Sequence, residues 1–278
     1  MRSLSYLQVH GEGTRTMKGD ESGECEVEAL VVPRSGDKSD QVRDVFEDTP
    51  RYLKSRRVDI RCRIDVVKGY ASTLDAKRML DIGCGDGTIS LQLVTKSSRL
   101  TLMDLSSSMI ATARENIPKG LEDMVELRNE NFATASFDSE QFDLIVSVGV
   151  MAHVESPDAF LSKIKSLLRP GGSLILEFTD AFHVVGRVGR FWSWLRELLA
   201  PAKYRTNKLS FAEVARLFDR HNLKLVSTYR YSRVPLPMFN KFVSHDAEYR
   251  LVKRFFGRCM ANRNAWLGNE YICLLTTE

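Results

Sequence analysis

The sequence predicts an α/β fold, a doubly wound and mostly parallel seven-stranded sheet with helical insertions. Three observations point there. With 278 residues and 43% hydrophobic composition, the chain can bury one sizeable core. From residue 77 to 178, apolar runs alternate with helical stretches of about 10–15 residues, the rhythm of right-handed β–α–β crossovers. Helix signals bound those stretches, with serines before them and Pro170-Gly171-Gly172 after one.

Residues 1–40 show no sustained apolar period and are rich in Gly, Ser and Glu, so a loose or disordered lead-in is expected, with one domain over residues 41–278. One or two helices follow from Val42, with Ile60, Ile64 and Val67 at helical spacing and a break or start at Pro50. RMLDIG is the first strand, TISLQLV a helix and LTLMDL the second strand. SSSMIATAREN is a helix capped by serine, VELRNENF the third strand and FDLIVSVGV the fourth. The next helix has Ser156 as N-cap, Pro157 at its first position and a stripe of Phe160, Leu161, Ile164, Leu167 and Leu168. SLILEF is the fifth strand. After it come a helix over VGRFWSWLRELLA, a helix capped by Ser210, KLVSTYRY as strand six, AEYRLVKRFFGRCM and EYICLLTTE as strand seven. Segments 42–76, 180–208 and 232–268 are expected to build a cap over the carboxyl edge, where open parallel sheets bind ligands.

No apolar run approaches the roughly 20 residues of a membrane helix, and the first residues lack a secretory core. Five scattered cysteines without a C-x-x-C pair argue against a disulfide framework or zinc knuckle and for a reducing, cytoplasmic setting. The net charge of +4 is unevenly spread. Residues 1–50 carry six Lys/Arg against eleven Asp/Glu, and residues 201–278 carry fourteen against six. That basic third suits an anionic substrate, a phospholipid surface or RNA, or is simply a solvated face.

Residues 80–90, LDIGCGDGTIS, follow the first strand with Gly83, Gly85 and Gly87. A tight turn without ligand is one reading. A nicotinamide dinucleotide loop is another, but its third glycine stands one place later than here. Asp81 favours a third reading: its carboxylate would repel a pyrophosphate and suits a ligand with an ammonium group. Asp104 ends the second strand about twenty residues on, where it can accept both hydroxyls of a ribose. Together these describe a pocket for an adenosine carrying an amino-acid tail.

At this point the chain resembles the class I, seven-strand, Rossmann-like S-adenosylmethionine-dependent methyltransferases of small-molecule type. The resemblance rests on MLDIGCGDGTIS (79–90), LTLMDLSSSMI (100–110), NENFATASFDSEQFDLIVSVGVMAHV (129–154) and LRPGGSLILEF (168–178). It implies S-adenosyl-L-methionine as cofactor. Asp81, Gly83, Cys84, Gly85 and Gly87 would line the methionine side. Asp104 would take the ribose hydroxyls, Leu105 and Met109 would wall the adenine, and Asn131, with Phe132 after it, would stand where many relatives have aspartate. Val148 and Gly149 would lie under the methyl donor, and Tyr52 would close over the methionine tail.

Methyl transfer needs a base if the acceptor is a hydroxyl, an acidic carbon or a protonated amine. His153 and His183, after the fourth and fifth strands, are the candidates, with Asp180 beside His183. No Asn/Asp-Pro-Pro-aromatic tetrad follows the fourth strand, no Pro-Cys pair suggests cytosine chemistry, and no metal site is expected. The acceptor is therefore read as a small organic molecule, with Phe191, Trp192, Trp194, Phe239 and Phe242 as an apolar wall. Arg187, Arg190, Arg205, Arg230, Arg233 and Lys241 would meet an anionic or sugar group. A secondary metabolite, quinone precursor or lipid intermediate fits, with O-methylation slightly favoured. The rivals are an RNA methyltransferase using the basic third and a protein that binds the cofactor without transferring the methyl.

Overall fold

Seven strands form one sheet, and from one edge to the other they begin at Val125, Arg99, Arg78, Phe142, Leu168, Glu270 and Leu223. The computed structural model describes residues 38–46, 57–137, 141–185, 187, 206–233 and 244–277, and those from Lys38 on form one unit. The strands are β1 Arg78–Ile82, β2 Arg99–Asp104, β3 Val125–Asn129, β4 Phe142–Ser147, β5 Leu168–Thr179, β6 Leu223–Tyr231 and β9 Glu270–Thr277. A two-residue hairpin, β7 Gly257–Arg258 with β8 Ala261–Asn262, stands apart. β1 to β5 pair in parallel, and β9 inserts antiparallel between β5 and β6. Strand order reverses between β1 and β4, and in such sheets the crevice at that switch, beyond the carboxyl ends, is where ligands bind.

The described helices are α1 Lys38–Phe46, α2 Arg57–Ala71, α3 Ser107–Glu115, α4 Pro157–Leu167, α5 Phe211–Arg220 and α6 His245–Phe256. Alternation along each strand divides the core in two. Met79, Leu144 and Ile175 face Val66, Val67 and Tyr70 of α2, Ile110 of α3 and Phe256 of α6. Leu80, Ile145 and Leu174 face Phe160 and Ile164 of α4 and Phe218 of α5. The expected caps form: Ser106, Ser156 and Ser210 accept the N–H groups of Met109, Ala159 and Glu213, and Ser210 with Glu213 completes a capping box.

Four local expectations are corrected. TISLQLV makes only a 3₁₀ turn, Ser90–Gln92, because a knot of hydroxyls over Thr95–Ser98 turns the chain at once into β2. Leu168 and the Pro-Gly-Gly run belong to β5, since the chain passes from α4 straight into the strand. The fourth strand ends at Ser147, short of Val148 and Gly149. On α2, Ile60 and Ile64 are only half-buried, while Val58, Cys62 and Val66 are fully buried. The helix is rolled so that Asp59 and Arg63 point inward to charged partners. The helix expected at VGRFWSWLRELLA, with Arg190, and Arg205, Phe239, Lys241 and Phe242 lie outside the described residues, as do residues 1–37.

Arg63 joins α2 to the sheet. Its Nε donates to Glu177 Oε1 at 3.0 Å, and its Nη2 lies 2.7 Å from Glu177 Oε2. The two side chains are 11% and 1% exposed, so neither charge is hydrated. Removing one partner of such a pair strands the other, at a cost of about 3–5 kcal/mol. Arg63→Met should therefore lower the urea-unfolding free energy by roughly that amount. Arg63→Met combined with Glu177→Leu should recover much of the loss, and equal losses in single and double variants would count against the pairing.

Candidate active site

The glycine loop extends the β1–β2 ladder past its last paired residues. Gly83 and Cys84 donate their N–H groups to Met103 O at 2.8 and 3.0 Å. Gly85 then donates to Asp104 Oδ2 at 2.8 Å, and Ser106 donates to Asp104 Oδ1 at 2.9 Å. Gly83 and Gly85 both have positive φ, +72° and +55°. A β-carbon on Gly83 would come within 2.3 Å of the Val150 side chain, so no other residue fits. At Gly85 it would meet only the Met109 sulfur at 3.9 Å, which leaves that stretch of main chain bare. This is a cradle a ligand can approach closely.

Asp81 lies in register between Leu102 and Val146 and is 3% exposed. Burial pushes its carboxyl up to about 7, the Ser90 hydroxyl works against this, and the Asp104 charge adds to it. Asp104 is half-buried at the mouth, its main-chain O and that of Leu105 held by Asn129 Nδ2 at 3.0 Å each. Burial, then Asp81, Asp104 and Asp86, hold the Cys84 thiol well above its usual pKa, so it stays a protonated, inert side chain. Asp81, Cys84, Asp104 and Met109 thus gather with the glycines around one loop, with Leu105 half-buried beside Asp104 and Val148 buried just past β4.

Asn131 Nδ2 donates to Ser39 Oγ of α1 at 3.0 Å, and its Oδ1 accepts from Ala133 N at 2.9 Å. The Phe132 ring belongs to the opposite core layer, edge-on to Phe160 with centroids 5.3 Å apart, so it does not face the loop. Tyr52 lies outside the described residues.

His153 is half-buried in the turn after β4, its N–H donating to Val150 O at 2.8 Å. Two residues that sequence reasoning missed brace this turn. Asn207 reaches Met151 O and Val154 O at 3.2 and 2.7 Å, and Lys38 of α1 reaches Val154 O at 2.7 Å. Through Ser39 and Lys38, α1 touches both the loop after β3 and the turn after β4. A lone loop asparagine and a lysine at the first position of a helix carry no local signal of such a role.

His183 has both ring nitrogens engaged by main chain. Nδ1 accepts from Val185 N at 3.3 Å, which leaves Nε2 to donate to Trp266 O at 2.8 Å. Asp180 caps this turn through Phe182 N and His183 N at 2.8 and 3.0 Å. In this arrangement both ring nitrogens are taken up by main-chain groups.

Of the basic residues expected to line the acceptor, Arg230 and Arg233 are engaged within the protein. Arg63 packs against Gly149 and pairs with Glu177. Arg233 pairs with Glu248 and Asp59 at 2.9 and 3.5 Å, and Arg230 binds Gly268 O and stacks 4.3 Å from the Tyr271 ring centre. Arg187 is exposed and its Nε donates to Phe182 O at 3.1 Å. Burial, with Glu177 beside it, pushes the Glu270 carboxyl up to about 7. Glu177 was detectable in principle, as the one charge inside the apolar run SLILEF. Among the described residues no cluster of three His, Cys, Asp or Glu is set to hold a metal, and no helix is long and apolar enough to cross a membrane.

Comparison with known proteins agrees with this geometry. A family model described as a methyltransferase domain matches residues 80–176. The chain is 31% identical over 117 residues to a ubiquinone biosynthesis O-methyltransferase of Aeromonas salmonicida, 41% of this chain and 48% of that protein. It is 29% identical over 140 residues to the enzyme of the same name from Pasteurella multocida, 47% of this chain and 55% of that one. The chain thus spans about half the length of these curated relatives. Magnesium protoporphyrin IX methyltransferase from Synechocystis, solved with bound SAH, superposes with a TM-score of 0.60 at 17% identity, over 87% of this chain and 100% of that one. A SAM-dependent methyltransferase from Thermotoga maritima gives 0.58 at 16% identity, over 85% and 99%. At such identities the likeness is one of fold. Residues 80–176 thus match a methyltransferase-domain model, within a chain whose seven-stranded fold is that of these solved S-adenosylmethionine-dependent methyltransferases.

Proposed function

We propose that this chain binds S-adenosylmethionine against the glycine loop and transfers its methyl group to a small organic acceptor, with oxygen favoured over nitrogen or carbon. One observation carries the reading: two carboxylates, Asp81 one residue before the end of β1 and Asp104 at the end of the adjacent parallel strand β2, flank bare main chain. The cofactor supplies an electrophilic methyl group on a positively charged sulfur. Asp81 takes the ammonium of the methionine portion. Asp104 takes the ribose hydroxyls, its carboxylate being held at the end of β2 by the Gly85 and Ser106 N–H groups. The Gly83–Gly85 main chain lies along the tail, and Val148 and Gly149 support the reacting centre. Asn131 and Met109 border the adenine, with Leu105 at its edge. The chain's task is to align donor and acceptor and to exclude water.

His153 is the favoured base. His183 must first break a main-chain bond to accept a proton, so it acts by positioning the loop after β5. The relatives named for ubiquinone biosynthesis support a phenolic or quinone-like hydroxyl as acceptor. Because Arg230 and Arg233 are taken up inside the protein, an anionic or sugar group on the acceptor would be read elsewhere. Four free cysteines among the described residues support a reducing, cytoplasmic setting.

Calorimetric titration should detect binding of both S-adenosylmethionine and its demethylated product. Asp104→Ala should weaken each by about 100-fold or more, the worth of two hydrogen bonds to a charged acceptor. Wild-type protein that binds neither ligand contradicts the reading.

Affinity should also depend on pH through Asp81. Below about 7 its carboxyl is protonated in the free protein, and an ammonium must displace that proton. Affinity should fall up to about tenfold per pH unit below that point. The unliganded fold should change the opposite way. A carboxyl whose pKa is raised by folding favours the native state while protonated, so this group's contribution is lost as pH rises toward 7. Asp81→Asn should flatten the binding profile, and an unchanged slope would remove Asp81 from the ammonium site.

With an acceptor in hand, His153→Asn should lower kcat about 100-fold or more with little change in KM. A change in KM alone would assign His153 to loop support.

A further inference from the structure

The site uses little of the basic C-terminal third. That charge gathers in residues 249–268, which hold five Lys/Arg and no Asp/Glu. Arg250, Arg254, Arg258 and Arg263 are exposed, and among the described residues none forms an ion pair. Neighbouring acids are already paired: buried Glu248 with Arg233, Asp65 with Lys253 and Tyr249, and exposed Asp246 with Arg61.

Large apolar side chains stand exposed among these arginines: Leu251 and Phe255 at 43%, Met260 and Trp266 at 69%. Leu251 and Phe255 are four residues apart on α6 and share a face. Met260 lies in the turn of the β7–β8 hairpin. Asn264 Nδ2 donates to Phe255 O at 2.9 Å, which brings the Trp266 turn beside the end of α6. Trp266 O meets the His183 ring at 2.8 Å, and Phe182 and Val184 on either side of that histidine are exposed at 44% and 71%. The apolar series therefore runs from α6 past the hairpin to the loop after β5, next to the acceptor side.

We infer that this face docks on the surface of an anionic lipid bilayer. Aliphatic and aromatic side chains enter the boundary between headgroups and acyl chains, while the surrounding guanidinium groups meet lipid phosphates. RNA would satisfy the arginines and stack on Phe255 and Trp266, but it offers nothing to Leu251, Met260 or Val184. A bilayer accommodates all of them. Docking places the His183 loop at the interface, which suits an amphiphilic acceptor drawn from the membrane. That last clause rests on the proposed methyl transfer, whereas the docking does not.

The test is co-sedimentation of the full chain with phosphatidylcholine vesicles, with and without phosphatidylglycerol. Binding is expected only with the anionic lipid, and it should weaken as salt is raised. M260S/W266S should reduce affinity about tenfold or more through lost apolar insertion, and R254Q/R258Q about fivefold per charge removed. Both variants should keep the wild-type melting temperature and affinity for S-adenosylmethionine, which separates this outcome from misfolding and from failure of the methyl-transfer reading. The inference is overturned by absence of binding to anionic vesicles, by M260S/W266S binding as well as wild type, or by bulk tRNA outcompeting the vesicles for the wild-type chain.

Discussion

The hydrogen bond from Gly85 N–H to the Asp104 carboxylate organises the ligand edge. Just before it, the N–H groups of Gly83 and Cys84 share the Met103 carbonyl, so the loop is an extension of the sheet. Gly85 then turns toward the end of β2 and finds a charged acceptor. The same bond acts in both directions. It holds bare main chain in one place, and it aims the Asp104 side chain across the crevice. The positive φ of Gly83 and its close approach to Val150 allow the chain to reach that position.

Asp81 gives the loop its charge preference. Its neighbours on the sheet are Leu102 and Val146, so an ionised carboxylate there has little solvation of its own. A cation entering the crevice supplies what water does not. The acceptor side follows another rule. Arg63 and Tyr231 meet Glu177, and Arg233 meets Glu248 and Asp59, so charges from α2, β5 and α6 are paired beneath the surface. Such pairing is costly to desolvate and specific in geometry, and it fixes where α2 meets the sheet edge beside Gly149. The sheet thus borders two electrostatic environments, a buried carboxylate at Asp81 and a set of paired charges around Arg63 and Arg233.

Much of this was legible in the sequence, because the signals were local. Apolar runs, the Ser106, Ser156 and Ser210 caps and the loop-plus-acid pattern each sit within a few residues of what they determine. What was missed depends on partners far along the chain. Arg63 turns inward for Glu177, 114 residues away, and that rolls the whole α2 stripe. Asn207 braces the His153 turn across 53 residues or more. The insertion of the last strand between β5 and β6 follows from sheet closure, which periodicity does not report. TISLQLV shows the reverse failure: its apolar positions suit a helix or a 3₁₀ turn, and the hydroxyl turn at Thr95–Ser98 decides between them.

The central claim is that Asp81 and Asp104 together clasp a charged nucleoside across the glycine loop. A crystal structure of the chain with S-adenosylhomocysteine addresses it most directly. The account predicts both ribose hydroxyls within hydrogen-bond distance of the Asp104 oxygens and the ligand amine facing Asp81. A nucleoside lodged elsewhere, or one bound at this loop with its ribose turned away from Asp104, would contradict it.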